Sequence, residues 1–278
     1  MKPSSSFFAK SGSSKQWLSR QARDPFVKAR ASSPANYRAR SAFKLLEMDR
    51  KYKIFGPRTK VVFDLGAAPG GWSQVASEAL GLLNRERVST SKGHLTEEEE
   101  ITAIISSSKD GNWGSGTIQR DSDLESKIAK TIIAIDLLPI VPILGVRTVR
   151  QDFLEGGAEL IASLLPTPET KADVILSDIA PNMSGNKTRD VAAGIEVCEA
   201  VYRFASQHLR VGENDGTDGG TLVLKHFTSE FTREFFNKVL KRSFHRVTIV
   251  KPDASRNESS EHYFVAKGYK GDNTNLHA

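Results

Sequence analysis

From residue 60 onward, short runs of β-branched and aliphatic residues alternate with stretches of helical period. That alternation predicts a parallel sheet covered by helices. The runs KVVFDL, TIIAID, VRTVRQDF, ADVILSD and GTLVLK read as strands, with helices between them. The most regular helix covers residues 229–242, where Phe231, Phe235, Phe236, Val239 and Leu240 form an apolar stripe and Thr228 is the expected N-cap. HRVTIVKP and HYFVAKGY follow, joined by a polar loop from Asp253 to Glu261 with no helix between them. They predict an antiparallel hairpin at the sheet edge. The expected class is α/β and Rossmann-like, a mostly parallel seven-stranded sheet with a C-terminal antiparallel hairpin and helices on both faces, unlike a dehydrogenase sheet.

Residues 81–130 break this rhythm. TEEEE, SSSKDGNWGSG and DSD carry little apolar periodicity, so the segment reads as a polar insertion. The expected organisation is a flexible N-terminus or presequence remnant (1–13), a basic helical extension (14–59), the main domain (60–270) and a loose tail (271–278). The single cysteine, Cys198, excludes an intrachain disulfide and a cysteine-based metal cluster, and a reducing compartment is expected. No apolar run approaches the ~20 residues that span a bilayer, so no membrane insertion is expected.

Charge changes the picture more. Residues 1–60 hold 15 Lys and Arg against 3 Asp and Glu, a net of +12 in a chain of net +6, which leaves −6 for the remainder. A cationic segment ahead of an acidic body suits a polyanion-binding arm, although a solvated tail has the same composition. The first 23 residues carry Lys2, Lys10, Lys15, Arg20 and Arg23, several serines and no acid, a composition that fits a mitochondrial presequence.

The candidate chemistry lies at the carboxyl ends of the strands. The first strand opens into DLGAAPGGWSQ, a glycine-rich turn leading to a helix near Gly70 and Gly71. Such a turn lets the backbone approach a ligand and presents free N–H donors. The spacing is G-x-x-x-G-G rather than the G-x-G-x-x-G of dinucleotide loops, and Asp64 precedes it. An acid there suits a cationic ligand such as S-adenosylmethionine, which carries a sulfonium and an ammonium. Asp136 ends the second strand, where an acid commonly accepts ribose hydroxyls. Asp152 and Phe153 follow the third, placed to take an adenine amino group and pack its ring, although either aspartate alone could equally be a helix cap. Asp178 ends the fourth strand and Lys225 the fifth, where a partly buried lysine can serve as a base; the hairpin adds Glu261 and the helix SAFKLLEMD adds Lys44. Two lysines and two acids meeting in one crevice suit an in-line displacement at a sugar hydroxyl, which needs alignment and help with a proton. No metal is called for.

With these strings in view, SKQWLSRQARDPFVK, YRARSAFKLLEMD, VVFDLGAAPGGWSQ, AIDLLP, SDIAPNMSG, LVLK, VKPDASR and SSEHYFVAKG, the chain resembles the FtsJ/RrmJ family of RNA ribose 2′-O-methyltransferases from Ser14 to Tyr269, apart from the insertion. The resemblance implies a Lys-Asp-Lys-Glu tetrad at Lys44, Asp178, Lys225 and Glu261, with Lys225 as proton acceptor. It implies S-adenosyl-L-methionine contacts at Gly66, Pro69, Gly70, Gly71, Trp72, Asp136, Leu137, Asp152, Phe153 and Asp178. The opening motif is similar to the branch that methylates a uridine in the peptidyl-transferase A loop of large-subunit ribosomal RNA. The expected partner is therefore that RNA, within a ribosomal subunit or assembly intermediate, and the chain is expected to act as a monomer. Two stretches depart from the family pattern: the insertion, absent from bacterial members, and HFTSE after Lys225. The insertion and the residues before Ser14 resemble fungal mitochondrial members, so the mitochondrial matrix is the expected compartment, with cytoplasm or nucleus as alternatives.

The basic segment is expected to hold RNA through Arg20, Arg23, Lys28, Arg30, Arg38 and Arg40, with Trp17 or Tyr37 as a stacking face and Phe43 packing the N-terminal helices onto the sheet. Three other readings remain: an FtsJ-like assembly factor with little catalysis, a methyltransferase acting on tRNA or an mRNA cap, and a nicotinamide-dependent oxidoreductase suggested only by the glycine loop and Asp136.

Overall fold

The structure is a computed structural model that describes residues 36–82, 130–213, 217–256 and 259–272. Trp17, Arg20, Arg23, Lys28, Arg30, nearly all of the insertion and the end of the tail lie outside the described residues. Seven strands form one sheet: β1 (Val61–Leu65), β2 (Thr131–Asp136), β3 (Val146–Arg150), β4 (Val174–Ser177), β5 (Thr221–Phe227), β6 (Phe244–Val250) and β7 (Glu261–Tyr269). Their order is β3-β2-β1-β4-β5-β7-β6. The first five pair in parallel, while β7 runs antiparallel between β5 and β6. The expected hairpin is present, with its second strand inserted beside β5.

Two apolar layers sandwich the sheet. On one face α1 (Ser41–Tyr52) and α2 (Gly71–Ala79) bury Leu45, Met48, Trp72 and Val75 against Val62, Val223 and Val265. On the other, α3 (Ala158–Ser163), α4 (Lys187–His208) and α5 (Glu230–Phe235) cover Phe63, Leu224 and Phe264. Residues 36–59, counted above with the basic extension, are therefore built into the main domain: α1 is a core helix of the sheet. No helix among the described residues is long and apolar enough to cross a membrane.

The insertion leaves and rejoins the body at one place. Leu82 is buried, and Lys130 donates to the carbonyl of Leu80 at 2.6 Å.

The helix expected over 229–242 is α5 continued by a π-helical stretch, Phe236–Leu240, and a last turn, Lys241–Ser243. Two expectations there need correction. Ser229, not Thr228, is the N-cap: its hydroxyl accepts from the Thr232 N–H at 3.1 Å, and the Thr232 hydroxyl accepts from the Ser229 N–H at 3.0 Å. The inward stripe consequently begins at Thr232 and continues through Phe235, Val239 and Leu240, whereas Phe231, in the first turn, is 58% exposed. A reciprocal capping box satisfies two otherwise orphaned donors. Ser229→Ala is expected to lower stability by ~1 kcal/mol, seen as a lower urea midpoint at unchanged slope.

Candidate active site

Alternation along β5 and β7 sets one half of the site. Lys225 pairs in register with Tyr263, and Glu261 lies two residues from Tyr263, so all three side chains share one face of the sheet. Asp178 follows β4 immediately, beside β5, and α1 lays Lys44 over the same face. The groups form a connected array. Lys225 Nζ donates to the carbonyl of Asp178 at 2.6 Å and to its Oδ1 at 3.0 Å. Tyr263 Oη donates to the same Oδ1 at 2.7 Å. Lys44 Nζ donates to Tyr263 Oη at 3.2 Å and pairs with Glu261 Oε1 at 2.5 Å.

All four tetrad residues named from the sequence thus converge, and Tyr263 is the link the sequence reading missed. Its place two residues after Glu261 on a strand was the available signal. Burial pushes the Tyr263 phenol well above its ordinary value, as do the neighbouring Asp178 and Glu261 carboxylates, so it stays a donor. Burial pushes Glu261 up, but the Lys44 ammonium more than reverses this and the carboxyl ends below its usual range.

Glu47 is a second residue that sequence reasoning did not single out. Its carboxylate accepts the backbone N–H groups of Asp253 and Ala254, tying the β6–β7 loop to α1. Arg40, at the N-terminal end of α1, donates to the Ala254 carbonyl at 2.6 Å. Between α1 and this loop lies a cleft of about 260 Å³ lined by Arg40, Lys44, Ala254, Arg256, Ser259 and Glu261.

The other half of the site is the loop after β1. Gly66 has φ +73°, and a Cβ there would sit 2.5 Å from Ile179 Cγ1, so the loop passes close against the segment after β4. Gly70, at φ 108°, precedes α2; Pro69 is at the exposed tip, and Gly71 begins the helix against Ala39. Asp64 lies beneath, fully buried, with Oδ2 accepting from Ser73 Oγ at 2.5 Å and Oδ1 without a partner. Burial pushes its carboxyl up to about 7; the Ser73 hydrogen bond opposes this, while Asp178 and Asp136 push it further. Three carboxylates and an unmet acceptor fit a cation. S-adenosylmethionine matches this cradle, and a pyrophosphate would be repelled by it.

Several expected contacts have other occupations. Asp136 accepts from the backbone N–H of Ala68 and of Leu138, bracing the loop whose next residue, Leu137, is exposed. Asp152 caps a helical turn by accepting the Leu154 N–H at 2.8 Å. Phe153 is a correction: its ring turns into the core, edge-on to Phe204, because Asp152 starts that turn at the sheet edge. The Trp72 indole is also buried, donating to the Ser41 carbonyl and packing on Tyr263, so it couples α2 to α1 and not to the open crevice. The Arg38 guanidinium holds the carbonyls of Val141 and Pro142. Tyr37 is no stacking face: it is buried, bonds to Glu78 and meets Phe43 edge-on, while Phe43 packs as expected. Among the described residues no group of three or more His, Cys, Asp or Glu could hold a metal ion.

The sequence pattern of FtsJ-like methyltransferases matches residues 37–269. The chain belongs to this family. Relatives include proteins called ribosomal RNA large subunit methyltransferase E from Rickettsia bellii, 38% identical over 93% of this chain and 90% of the relative, and from Nitrobacter hamburgensis, 36% identical over 93% and 89%. Among solved structures, a ribosomal RNA methyltransferase from Plasmodium falciparum has the same fold, with a TM-score of 0.58 and 24% identity over 84% of this chain and all of that one. Membership sets aside the oxidoreductase reading. As an FtsJ-like methyltransferase the chain uses S-adenosylmethionine, and the glycine loop, Asp64, Asp136 and Asp178 are the residues that would hold it.

The elevated Asp64 carboxyl makes cofactor binding pH-dependent. A cation favours the ionised form, so S-adenosylmethionine affinity should rise as pH rises toward 7 and level off above, with proton release on binding below 7. In the ligand-free protein the sign reverses. The unfolded chain ionises near the ordinary value of 3.8 and the folded one near 7, so stability falls as pH rises through that window. Asp64→Asn should flatten both dependences, raise the apo melting temperature at pH 8 and weaken cofactor binding. Calorimetry across pH checks this, and a wild-type affinity constant between pH 5 and 8 would count against it.

Proposed function

We propose that this chain transfers a methyl group to a ribose 2′ hydroxyl of large-subunit ribosomal RNA, with Lys225 as acceptor of the hydroxyl proton. The observation that carries the reading is the continuous array from Lys225 through Asp178, Tyr263 and Lys44 to Glu261 beside the acidic cradle. When bound, S-adenosylmethionine supplies an electrophilic methyl group on a cationic sulfur. Asp178 holds Lys225 Nζ through two acceptors, at 2.6 and 3.0 Å, which fixes the direction of its remaining bonding position and lets that position meet a substrate hydroxyl, the contact a general base needs. Lys44 and Glu261, held together and only slightly exposed, can orient the ribose. The cleft between Arg40 and Arg256 offers two cations to an adjoining phosphate.

The finer reading is a uridine in the peptidyl-transferase A loop, modified by a monomer in a ribosomal subunit or assembly intermediate. The large-subunit RNA methyltransferase name of the relatives from Rickettsia and Nitrobacter supports the RNA, and the resemblance of the opening motif SKQWLSRQARDPFVK to the A-loop branch supports the uridine. The acid-free, basic and serine-rich start of the chain supports the mitochondrial matrix.

Lys225→Ala should reduce methyl transfer by ~10²–10⁴-fold or more while S-adenosylmethionine affinity changes by less than a few fold. Incorporation of labelled methyl into large-subunit rRNA, tRNA and capped RNA measures it. Wild-type activity in the variant would remove Lys225 as base, and transfer confined to tRNA or capped RNA would replace the substrate. Arg256→Glu should weaken RNA binding and reduce the slope of log affinity against log salt by ~0.7–0.9, the share of one phosphate contact.

A further inference from the structure

The strand that presents Lys225 to the active site turns its next residue to the opposite face. His226 is 4% exposed and lies flat against Phe264, with ring centroids 3.7 Å apart at an interplanar angle of 4°. Apart from an approach to the backbone of Phe227, neither ring nitrogen makes a hydrogen bond of good geometry among the described residues. Burial, together with His262 nearby, lowers its pKa to about 4, so the ring is neutral and carries one donor and one acceptor. Leaving such groups unmet is costly, and buried polar groups without well-formed hydrogen bonds are rare enough to need an explanation.

His226 lines a cleft of about 470 Å³ at the carboxyl end of β5, together with Thr228, Arg233, Ile249, His262 and Phe264. The cleft combines an aromatic floor with hydroxyl and imidazole groups and the exposed Arg233–Glu230 pair, 3.6 Å apart, at its edge, which together offer donors and acceptors to a flat heterocycle with polar edges. His262 stands beside it on the neighbouring strand: Nδ1 lies 3.1 Å from both Thr228 Oγ1 and the Ser260 carbonyl, and its ring is 5.9 Å from His226. The surrounding surface is cationic. Residues 229–251 contain six Lys and Arg against two Glu, in a body that is otherwise acidic.

We infer that this cleft seats a base of the RNA substrate next to the methylated nucleotide, with His262 swinging aside so that the base edge meets the His226 ring nitrogens. The inference rests on the RNA-methyltransferase reading above. Adjacent residues of β5 then serve adjacent nucleotides: Lys225 faces the target ribose on one face of the sheet, and His226, one position later, faces its neighbour on the other, with the RNA backbone passing round the carboxyl end of β5. Splayed, unstacked bases are what proteins recognise in single-stranded RNA, and the basic surface would carry the backbone between the two sites.

The test uses the full chain, ¹⁵N-labelled at histidine, and a hairpin RNA carrying the methylated loop, with each nucleotide flanking the target made abasic in turn. Addition of the intact hairpin should shift the His226 imidazole resonances, and one abasic substitution should abolish that shift. The same abasic RNA should raise the wild-type KM tenfold or more while changing kcat less than threefold. His226→Phe, which keeps the stack on Phe264 and removes both nitrogens, should discriminate less than threefold between the two RNAs, and His226→Gln should recover part of the discrimination. Wild-type methylation with unmoved His226 resonances, or equal discrimination by wild type and His226→Phe, would overturn the subsite and leave the methyltransferase reading standing. Absence of methylation of any RNA by the wild type would overturn both.

Discussion

Asp178 is the group on which both halves of the site depend. Its Oδ1 accepts from Lys225 and from Tyr263, and its negative charge is one of those that raise Asp64. Ion pairs this enclosed are poor sources of stability, because losing water offsets most of the attraction, yet removing one partner leaves a charge with no compensation. The array is therefore better understood as a device for position than for stability. It is secured by strand register: Ser177 pairs with Leu224, and Lys225 with Tyr263. A slip of one residue would send Lys225 and Tyr263 to the far face and bring His226 into the crevice.

The charges are sorted in space. The donor cradle holds Asp64, Asp136 and Asp178 around backbone amides and one serine hydroxyl, whereas the tetrad balances two amines with two carboxylates. Beyond it, Arg40 and Arg256 flank the cleft beside Glu261. A cationic cofactor and an anionic nucleic acid are consequently drawn to different neighbourhoods that meet at Asp178. Such sorting orients both reactants before any bond changes, which is how a preorganised polar site contributes to rate.

Much of this was legible in the chain because strand ends and helix period are local features. TIIAID became β2 residue for residue, and Asp178 directly follows β4, whereas the assignment of Lys44, Lys225 and Glu261 to one tetrad came from the family resemblance, since Lys44 lies within α1, Lys225 within β5 and Glu261 at the start of β7. What escaped depended on packing between distant segments. Nothing local says that β7 enters between β5 and β6, and without that neighbour Tyr263 is one more aromatic in a strand. Phe153 and Trp72 follow the candidate cofactor-contact acids and glycines in sequence, but their rings are large enough that burying them in the core wins over lining an open crevice. Arg38 and Tyr37 sit in a cationic stretch and looked like RNA contacts, while the fold uses them to fasten the 137–144 loop and α2. Thr228 and Ser229 are both competent caps, and the choice between them follows from Thr232 being able to return the bond to Ser229.

The departure from the family pattern at HFTSE takes on a physical meaning here. Along a strand, successive side chains face opposite sides, so position 226 can change without moving the amine at 225. The face opposite Lys225 carries the buried His226 imidazole, the Ser229 cap and the start of α5. The capping box matters to more than helix stability: by starting α5 at Glu230 it brings Arg233 over the cleft and leaves the Thr228 hydroxyl beside His262. A substitution at position 226 therefore acts on the face of the sheet away from the tetrad and leaves the geometry around Lys225 in place.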